Sequence, residues 1–292
     1  MKVRIGVSLG SAAAPASLTT AVELLESAGI DSLWLSEIVY GDLVEPFIGM
    51  TYALARTRRL KVGTGVAVLP GRHPVLVAKQ LCSLAALAPG RVLPVFGLRP
   101  ARPAETAAFV VRGHRGAEFD ESLKLLRLLV SEDSVTFAGE FFQVTDATVG
   151  PRPAKPLDIW LGGSAPAALR RIGELGDGWL ASFLTPEEAG RGREQIQAVA
   201  AAAGREVEAD HFGVSLAVGE ITPEFAQAAE RRRPGIDPAT LAAPNWAAAR
   251  RMIEEYVAAG LSKFVIRPAQ TADPDLSRFV DDFVAELIPL QT

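Results

Sequence analysis

Segments typical of strands and of helices alternate along the chain, and this alternation limits the fold more than any other feature. Short apolar runs bounded by turn residues predict strands, and apolar residues at helical spacing, such as Leu18, Val22 and Leu25, predict the intervening helices. This order is typical of a parallel sheet covered by helices. The predicted strands are Val3–Leu9, Ser32–Ser36, Leu60–Leu69, Arg91–Gly97, Asp158–Leu161, Gly178–Ala181, Phe212–Val218 and Lys263–Ile266.

Eight such units favour a closed (β/α)8 TIM barrel of the α/β class over a doubly wound sheet. We expect a single domain over residues 1–292. Two longer segments interrupt the alternation and are candidate lids. One follows strand four and includes a predicted helix over Phe119–Val130 and a hairpin around Val135–Phe142. The other lies between strands seven and eight and carries Arg231–Arg233, a run that is also typical of a solvated loop.

Composition narrows the function classes. A net charge of -4 argues against nucleic acid or an anionic membrane as the main partner. Cys82, the single cysteine, lies in an apolar segment, which excludes a disulfide framework and a cysteine-rich metal site. The spacing of His73, His114 and His211 predicts no metal site. The amino terminus lacks the organisation of a signal peptide, and no apolar run reaches the roughly 20 residues of a membrane span, so a cytoplasmic location is expected.

The stretch Asp158–Ser164 is predicted to be a strand that runs into a glycine pair and then opens a helix. Such a corner directs backbone N–H groups and the positive end of a helix dipole towards a bound anion. Gly162 and Gly163 allow the backbone to approach a ligand closely, and Ser164, at the predicted N-cap, adds a hydroxyl. The pattern therefore predicts a phosphate site. The alternative is a tight turn in which Ser164 only caps the helix.

The carboxyl ends of the predicted strands, where barrel enzymes place their chemistry, are rich in glycine and small polar residues. They lack the clustered ligands of a metal hydrolase and the paired nucleophile and base of a triad. A site made of backbone and apolar walls suits a large planar cofactor, such as a flavin or deazaflavin. The residues at these ends are Ser8, Ser36, Glu37, Thr64–Val68, Gly97, Gly162–Ser164, Trp179 and Arg267.

An ordered series of stretches resembles the luciferase-like monooxygenase superfamily, the bacterial-luciferase-type barrels that use FMN or the deazaflavin coenzyme F420. Trp34–Glu37 and Leu157–Gly163 are most similar to the F420-dependent oxidoreductase branch. The series covers most of the chain up to about Glu188. It consists of Leu24–Glu37, Arg58–Val66, Arg72–Gln80, Arg115–Leu129, Pro151–Pro156, Ile159–Ser164 and Asp177–Trp179.

The resemblance implies a set of cofactor contacts. It implies a non-prolyl cis peptide between Gly65 and Val66 that supports the central ring. It also implies phosphate binding at Gly162–Ser164, with Gly178 and Trp179 beside them. Ser36 and Gly97, at neighbouring strand ends, complete the expected cofactor-binding set.

This chain lacks some of the acid and base residues that the family often has. Ile38 stands where the family often has a histidine, and Arg99 lies where some relatives have a glycine and near where others have a glutamate. Glu37 is the candidate catalytic acid, and its alternative role is a structural acceptor for backbone N–H groups. Arg72, Arg99 and Arg102 either form a cationic mouth for the oligoglutamate tail of F420 or lie on surface loops.

The leading hypothesis is an F420-dependent oxidoreductase that moves a hydride between C5 of the deazaflavin and an unidentified small organic substrate. The first alternative is an FMN-dependent monooxygenase served by a separate reductase. The second alternative is a non-catalytic flavin-binding barrel. By analogy with the family, a homodimer is expected.

Overall fold

The structure, a computed structural model, describes residues 2–10, 13–269 and 275–292. Its strands are β1 (Arg4–Ser8), β2 (Ser32–Leu35), β3 (Lys61–Thr64), β4 (Ala67–Val68), β5 (Val92–Leu93), β6 (Val95–Gly97), β7 (Val135–Ala138), β8 (Gln143–Ala147), β9 (Trp160–Gly162), β10 (Gly178–Ser182), β11 (Phe212–Val218), β12 (Ala242–Ala243) and β13 (Lys263–Pro268). Its helices are α1 (Pro15–Ser27), α2 (Pro46–Arg56), α3 (Pro74–Leu87), α4 (Arg115–Ser131), α5 (Pro166–Leu175), α6 (Pro186–Ala202), α7 (Pro223–Arg232), α8 (Trp246–Ala258) and α9 (Leu276–Leu287).

Parallel hydrogen bonding closes the strands into a ring. β1 pairs with β2 on one side and with β13 on the other, and the pairing runs through β3 to β6, β9, β10 and β11 back to β13. Two predicted strands are interrupted: Gly65 and Val66 separate β3 from β4, and Pro94 separates β5 from β6. With each pair counted as one, the ring has eight strands, which confirms the (β/α)8 barrel. β7 and β8 form the predicted hairpin outside it.

Proline and histidine determine where many helices begin. Six helices start at a proline, whose fixed φ suits the first helical position. His73 caps α3 by accepting a hydrogen bond from Val75 N, at 3.3 Å. His114 caps α4 by accepting one from Ala117 N, also at 3.3 Å. This cap starts α4 at Arg115, so the predicted start at Phe119 was too late.

The segment between strands seven and eight contains α7, and Arg231 and Arg232 lie in its last turn. The interpretation of the arginine run as a loop was therefore wrong for these two residues. Arg233 follows as the C-cap and pairs with Glu188 at 2.6 Å, which ties the end of α7 to the first turn of α6.

Two tryptophans fill the amino-terminal half of the barrel interior. Trp34 is buried, and Trp160 packs against the same inner cluster. Glycines on the neighbouring strands provide their space: a Cβ added to Gly178 would lie 2.3 Å from the Trp160 ring, and one added to Gly63 would lie 3.0 Å from the Trp34 ring. No side chain larger than hydrogen fits at Gly178 without displacing the indole.

A charged network closes the barrel beneath these tryptophans. Asp31 pairs with Lys61 at 2.8 Å and also with Lys263, whose side chain is buried. Burial favours the neutral carboxyl group, but Lys263 and Lys61 outweigh it and lower the pKa of Asp31 to about 2. A cavity of about 280 Å³ opens at this amino end, between the two tryptophans and the charged residues.

Among the described residues, no helix combines the length and apolar character needed to span a bilayer.

We expect Asp31→Asn to lower the free energy of unfolding by about 3–5 kcal/mol at pH 7, because it leaves the ammonium group of Lys263 buried without its counter-ion. The pKa of Asp31 is lower in the folded chain than its ordinary value of 3.8. The stabilisation is therefore present above pH 3.8 and is lost as the pH falls towards 2. Urea unfolding at pH 7 and at pH 3 measures the difference between variant and wild type, which should shrink at the lower pH.

Asp133→Asn is the matched control. Asp133 pairs with Arg152 at 3.0 Å, but its side chain is 98% exposed, so its removal should change stability by less than about 0.5 kcal/mol. A difference for Asp31→Asn that is equally small, or that is the same at both pH values, would contradict the role assigned to the network.

Candidate functional site

The glycine corner lies at the carboxyl end of the barrel and is open to solvent. β9 ends at Gly162, Gly163 has a φ of +112°, and both Gly163 and Ser164 are exposed. A φ in this range favours glycine, which accounts for that residue at the bend. α5 begins at Pro166 with Ala165 as its N-cap, so the assignment of Ser164 as N-cap was wrong. Ser164 instead presents its side chain on the exposed connection before the helix.

The Trp179 side chain fixes the position of this corner. Its indole Nε1 donates a hydrogen bond to the Gly163 carbonyl oxygen at 2.8 Å. The ring is fully buried against α6, where a Cβ added to Gly192 would lie 2.6 Å from it. Trp179 is thus a positioning residue for Gly163. Gly178 lies at the amino end of β10 against Trp160, whereas the corner lies at the carboxyl end of the neighbouring strand β9.

The strand-three bulge contains the cis peptide bond between Gly65 and Val66, as the family resemblance implies. Hydrogen bonds from β2 and the residues after it fix the bulge: Gly65 N donates to Leu35 O at 2.7 Å, and Ser36 Oγ donates to Gly65 O at 3.0 Å. Glu37 N donates to Val66 O at 3.2 Å. Three successive groups of one chain segment therefore hold the bulge.

Val66 brings three of the predicted cofactor residues together. Its side chain lies in the inner cluster, and a Cβ added to Gly97 would be 2.7 Å from Val66 Cγ2. A Cβ added to Gly162 would be 3.1 Å from Val66 Cγ1. The isopropyl group therefore rests on two glycines of neighbouring strands. This forms a small apolar platform immediately inside the glycine corner.

Glu37 is buried and engaged through both carboxylate oxygens. Oε2 accepts a hydrogen bond from Val68 N at 2.6 Å, and Oε1 pairs with the Arg72 guanidinium. Burial raises the pKa of Glu37 above its usual value, against the opposing effects of Val68 N–H and Arg72. These contacts agree with the structural alternative, in which Glu37 ties the residues after the bulge to the turn that precedes α3.

The expected cationic mouth is largely neutralised. Arg72 pairs with Glu37, lies 3.8 Å from Glu45, and packs over two phenylalanine rings. Arg102 donates to Tyr40 O at 2.7 Å and approaches Glu105 at 3.9 Å. Arg99 is exposed at the surface. Two of the three guanidinium groups therefore already have anionic partners in the protein.

The third histidine lies at the amino end of the barrel. His211 Nδ1 lies 2.8 Å from Asp177 O. Together with Glu208 and Asp210 it forms a group of possible metal ligands within the described chain, with ligand atoms within 4.8 Å of one another. This group borders the amino-end cavity and is remote from the platform.

Alternation along the strands shows which residues face the carboxyl half of the barrel interior. Trp34, Val95, Leu180 and Val265 belong to the inner cluster, so the residues two positions later face the same interior. These are Ser36, Gly97, Ser182 and Arg267. Arg267 is thus a charged residue among small ones. Sequence reasoning noted it only as a strand end, although its place in the series Lys263, Val265, Arg267 was a signal for this orientation.

Comparison with known proteins identifies the family. The profile of the family described as luciferase-like monooxygenase matches residues 1–272. The chain belongs to this family.

Individual relatives contain different cofactors. The chain is 31% identical over 176 residues to the F420-dependent glucose-6-phosphate dehydrogenase of Kineococcus radiotolerans, a match that covers 57% of this chain and 52% of that one. It spans about half the length of the curated relatives it matches.

The fold of the chain is similar to that of an F420-dependent secondary alcohol dehydrogenase in complex with an F420–acetone adduct, with a TM-score of 0.82, 19% identity and full coverage of both chains. It is also similar to the FMN complex of the oxygenating constituent of 3,6-diketocamphane monooxygenase from Pseudomonas putida, with a TM-score of 0.76, 16% identity and coverage of 100% and 99%.

We expect Trp179→Phe to loosen the glycine corner, because phenylalanine fills most of the buried space but cannot donate to Gly163 O. The free energy of unfolding should fall by about 1 kcal/mol for the lost hydrogen bond. Backbone amide hydrogen exchange followed by mass spectrometry should show faster exchange in the segment around Gly163 and Ser164.

Trp246→Phe is the control for Trp179→Phe. The Trp246 indole donates to Asp282 at 3.3 Å, far along the chain from the corner. Its replacement should leave exchange around Gly163 unchanged. Equal exchange at the corner in Trp179→Phe and wild type would show that the indole does not position it.

Proposed function

We propose that this protein is an F420-dependent oxidoreductase that transfers a hydride between C5 of the deazaflavin and a small organic substrate. The observation that carries the proposal is the apolar platform of Val66 on Gly97 and Gly162, which lies beside an exposed, glycine-built corner. A flat ring system needs an apolar surface without protruding side chains, and its phosphate needs accessible backbone. The two features are adjacent because Gly162 belongs to both.

The residues present fit such a cofactor. Cβ atoms at positions 97 and 162 would collide with the Val66 side chain, so the two glycines allow Val66 to lie directly against their backbone. Gly162, Gly163 and Ser164 would hold the phosphate through backbone N–H groups and the Ser164 hydroxyl. Ser36, Gly65 and Val66 would support the ring, since Ser36 and the segment after it fix the bulge. When bound, the deazaflavin supplies hydride transfer at C5.

The protein's own contribution is binding, orientation and exclusion of water. The inward-facing residues near the platform are serines and glycines, and Glu37, the nearest strand-end carboxylate, is occupied by Arg72 and Val68 N–H. A site with few free acid or base groups suits chemistry in which the cofactor carries the reacting electrons. We therefore assign Glu37 a structural role in the proposed site.

The choice of F420 over FMN is supported by several curated relatives that are named as F420-dependent glucose-6-phosphate dehydrogenases and that this chain matches over about half of their length. FMN-dependent monooxygenases share the fold, and their cofactor also pairs a flat ring with a phosphate.

Binding of each cofactor to the purified protein, followed by intrinsic tryptophan fluorescence, distinguishes the two. F420 binding alone supports the proposal, whereas FMN binding alone supports the monooxygenase alternative. F420 binding without turnover in a broad substrate screen supports the non-catalytic barrel.

We expect Ser164→Asp to weaken F420 binding at least about tenfold, because it adds a carboxylate beside the proposed phosphate position. Ser164→Asn adds a side chain of nearly the same size without the charge, and it should bind F420 within about twofold of wild type. Ser164 is exposed, so neither change disturbs the core. Dissociation constants from fluorescence titration, with folding checked by circular dichroism, provide the comparison.

The corner would lose its assigned role if both Ser164 variants bound F420 as tightly as wild type. Failure of the wild type to bind F420 would overturn the proposed function itself.

A further inference from the structure

A pair of arginines lies at the carboxyl end of the barrel on the side opposite the platform. Arg267, near the end of β13, pairs in register with Ala217 of β11 and faces the barrel interior. Arg232 reaches the same place from the last turn of α7. In the ring of strands, β10 and β11 separate β13 from β9, which carries the glycine corner.

Two phenylalanine rings hold these guanidinium groups together. The Arg232 guanidinium carbon lies 4.8 Å from the centre of the Phe183 ring, and that of Arg267 lies 5.9 Å from the same centre. Arg267 also lies 5.4 Å from the centre of Phe225. The two rings stack on each other, with centres 5.9 Å apart and an angle of 20° between their planes. Phe183 thus contacts both cations, and Phe225 contacts Arg267 and stacks on Phe183.

The backbone also holds this arrangement. Phe183 has a φ of +56°, a conformation that a bulky residue rarely adopts and that needs support from its surroundings. Arg233 donates to the Phe183 carbonyl oxygen at 2.8 Å and pairs with Glu188 at 2.6 Å. The neighbouring arginine therefore anchors Phe183, while Arg232 and Arg267 contact its ring.

Within the described parts of the chain, neither Arg232 nor Arg267 forms an ion pair with a carboxylate. Arg267 is half-buried, whereas Arg232 is exposed. Other half-buried arginines do pair with carboxylates: Arg233 pairs with Glu188, and Arg127 pairs with Asp177 at 2.6 Å. Burial, assisted by the positive charge of Arg232, lowers the pKa of Arg267 to about 10, so Arg267 is cationic at neutral pH. Two neighbouring guanidinium groups, of which Arg267 is partly desolvated, favour binding of an anion between them.

We propose that Arg232 and Arg267 form an anion subsite that binds a carboxylate or phosphate group of the substrate. This inference rests on the proposed function, because it gives the substrate of that site an acidic group. Guanidinium groups bind carboxylate and phosphate oxygens through paired, charge-assisted hydrogen bonds. The glycine corner on β9 already accounts for the cofactor's phosphate, so the anion on the opposite wall is assigned to the substrate.

Inorganic phosphate is the probe for the subsite, titrated into the apoprotein by calorimetry at constant ionic strength. We expect Arg267→Gln and Arg232→Gln each to weaken phosphate binding at least about tenfold, the usual effect of removing a hydrogen bond to a charged group. Arg231→Gln is the matched control: it removes an exposed arginine from the same turn of α7 and should bind phosphate as wild type does. Arg267→Lys retains the charge without the planar fork and should lie between wild type and Arg267→Gln.

F420 affinity in the same variants distinguishes the two possible sources of the anion. If the anion belongs to the substrate, Arg267→Gln and Arg232→Gln should bind F420 within about twofold of wild type. A parallel loss of F420 affinity would overturn this assignment and give the subsite to the acidic tail of the cofactor. The proposal also fails if wild type does not bind phosphate, or if Arg231→Gln weakens phosphate binding as much as the other variants.

The outcomes separate this inference from the proposed function. Phosphate binding that depends on Arg267 supports the subsite even when neither F420 nor FMN binds. If wild type does not bind F420, the proposed function is overturned but the subsite is not. Circular dichroism of each variant confirms its folding, and Arg232→Gln, at a solvent-accessible position, provides a test in which the core is unchanged.

Discussion

The packing of two tryptophans against glycines in the amino half of the barrel interior is the constraint on which the rest of the structure depends. Trp34 and Trp160 occupy the amino half, and they fit only because neighbouring strands present glycine to them. In the carboxyl half the inward strand-end residues other than Arg267 are small, and Val66 enters this space through the bulge in strand three. Two large rings thus occupy the amino half of the interior, and small side chains surround Val66 in the carboxyl half.

The bulge connects this packing to the candidate site. Val66 rests on Gly97 and Gly162, and Gly162 continues into the corner that Trp179 holds through the Gly163 carbonyl. Ser36 and Glu37 secure the bulge from the neighbouring strand. Platform and corner are thus parts of one connected unit. A substitution that changes any member is expected to move the others, because the groups are in direct contact.

The charged side chains at the two ends of the barrel have different kinds of partner. At the amino end Asp31 is shared by Lys61 and Lys263, so a buried carboxylate and buried cations neutralise one another. At the carboxyl end Arg232 and Arg267 share aromatic neighbours in place of a carboxylate in the described chain. Removing one partner of a neutralised network leaves a buried charge unpaired and destabilises the fold. The pair of like charges, of which Arg267 is half-buried and Arg232 exposed, would be neutralised by a bound anion.

The sequence by itself determined the barrel and the glycine corner, because these depend on local signals, whereas the position of the cis peptide was implied by the family resemblance. Alternating apolar periods identify the strands and helices, and the glycines at 162 and 163 mark a bend that other residues resist. The roles of Trp179, Gly178 and Glu37 were decided only by tertiary structure, since each depends on a partner distant in sequence: the Gly163 carbonyl, the Trp160 ring and the Arg72 guanidinium. The Arg232 and Arg267 pair likewise arises because α7 folds back over β13, a contact that no local pattern encodes.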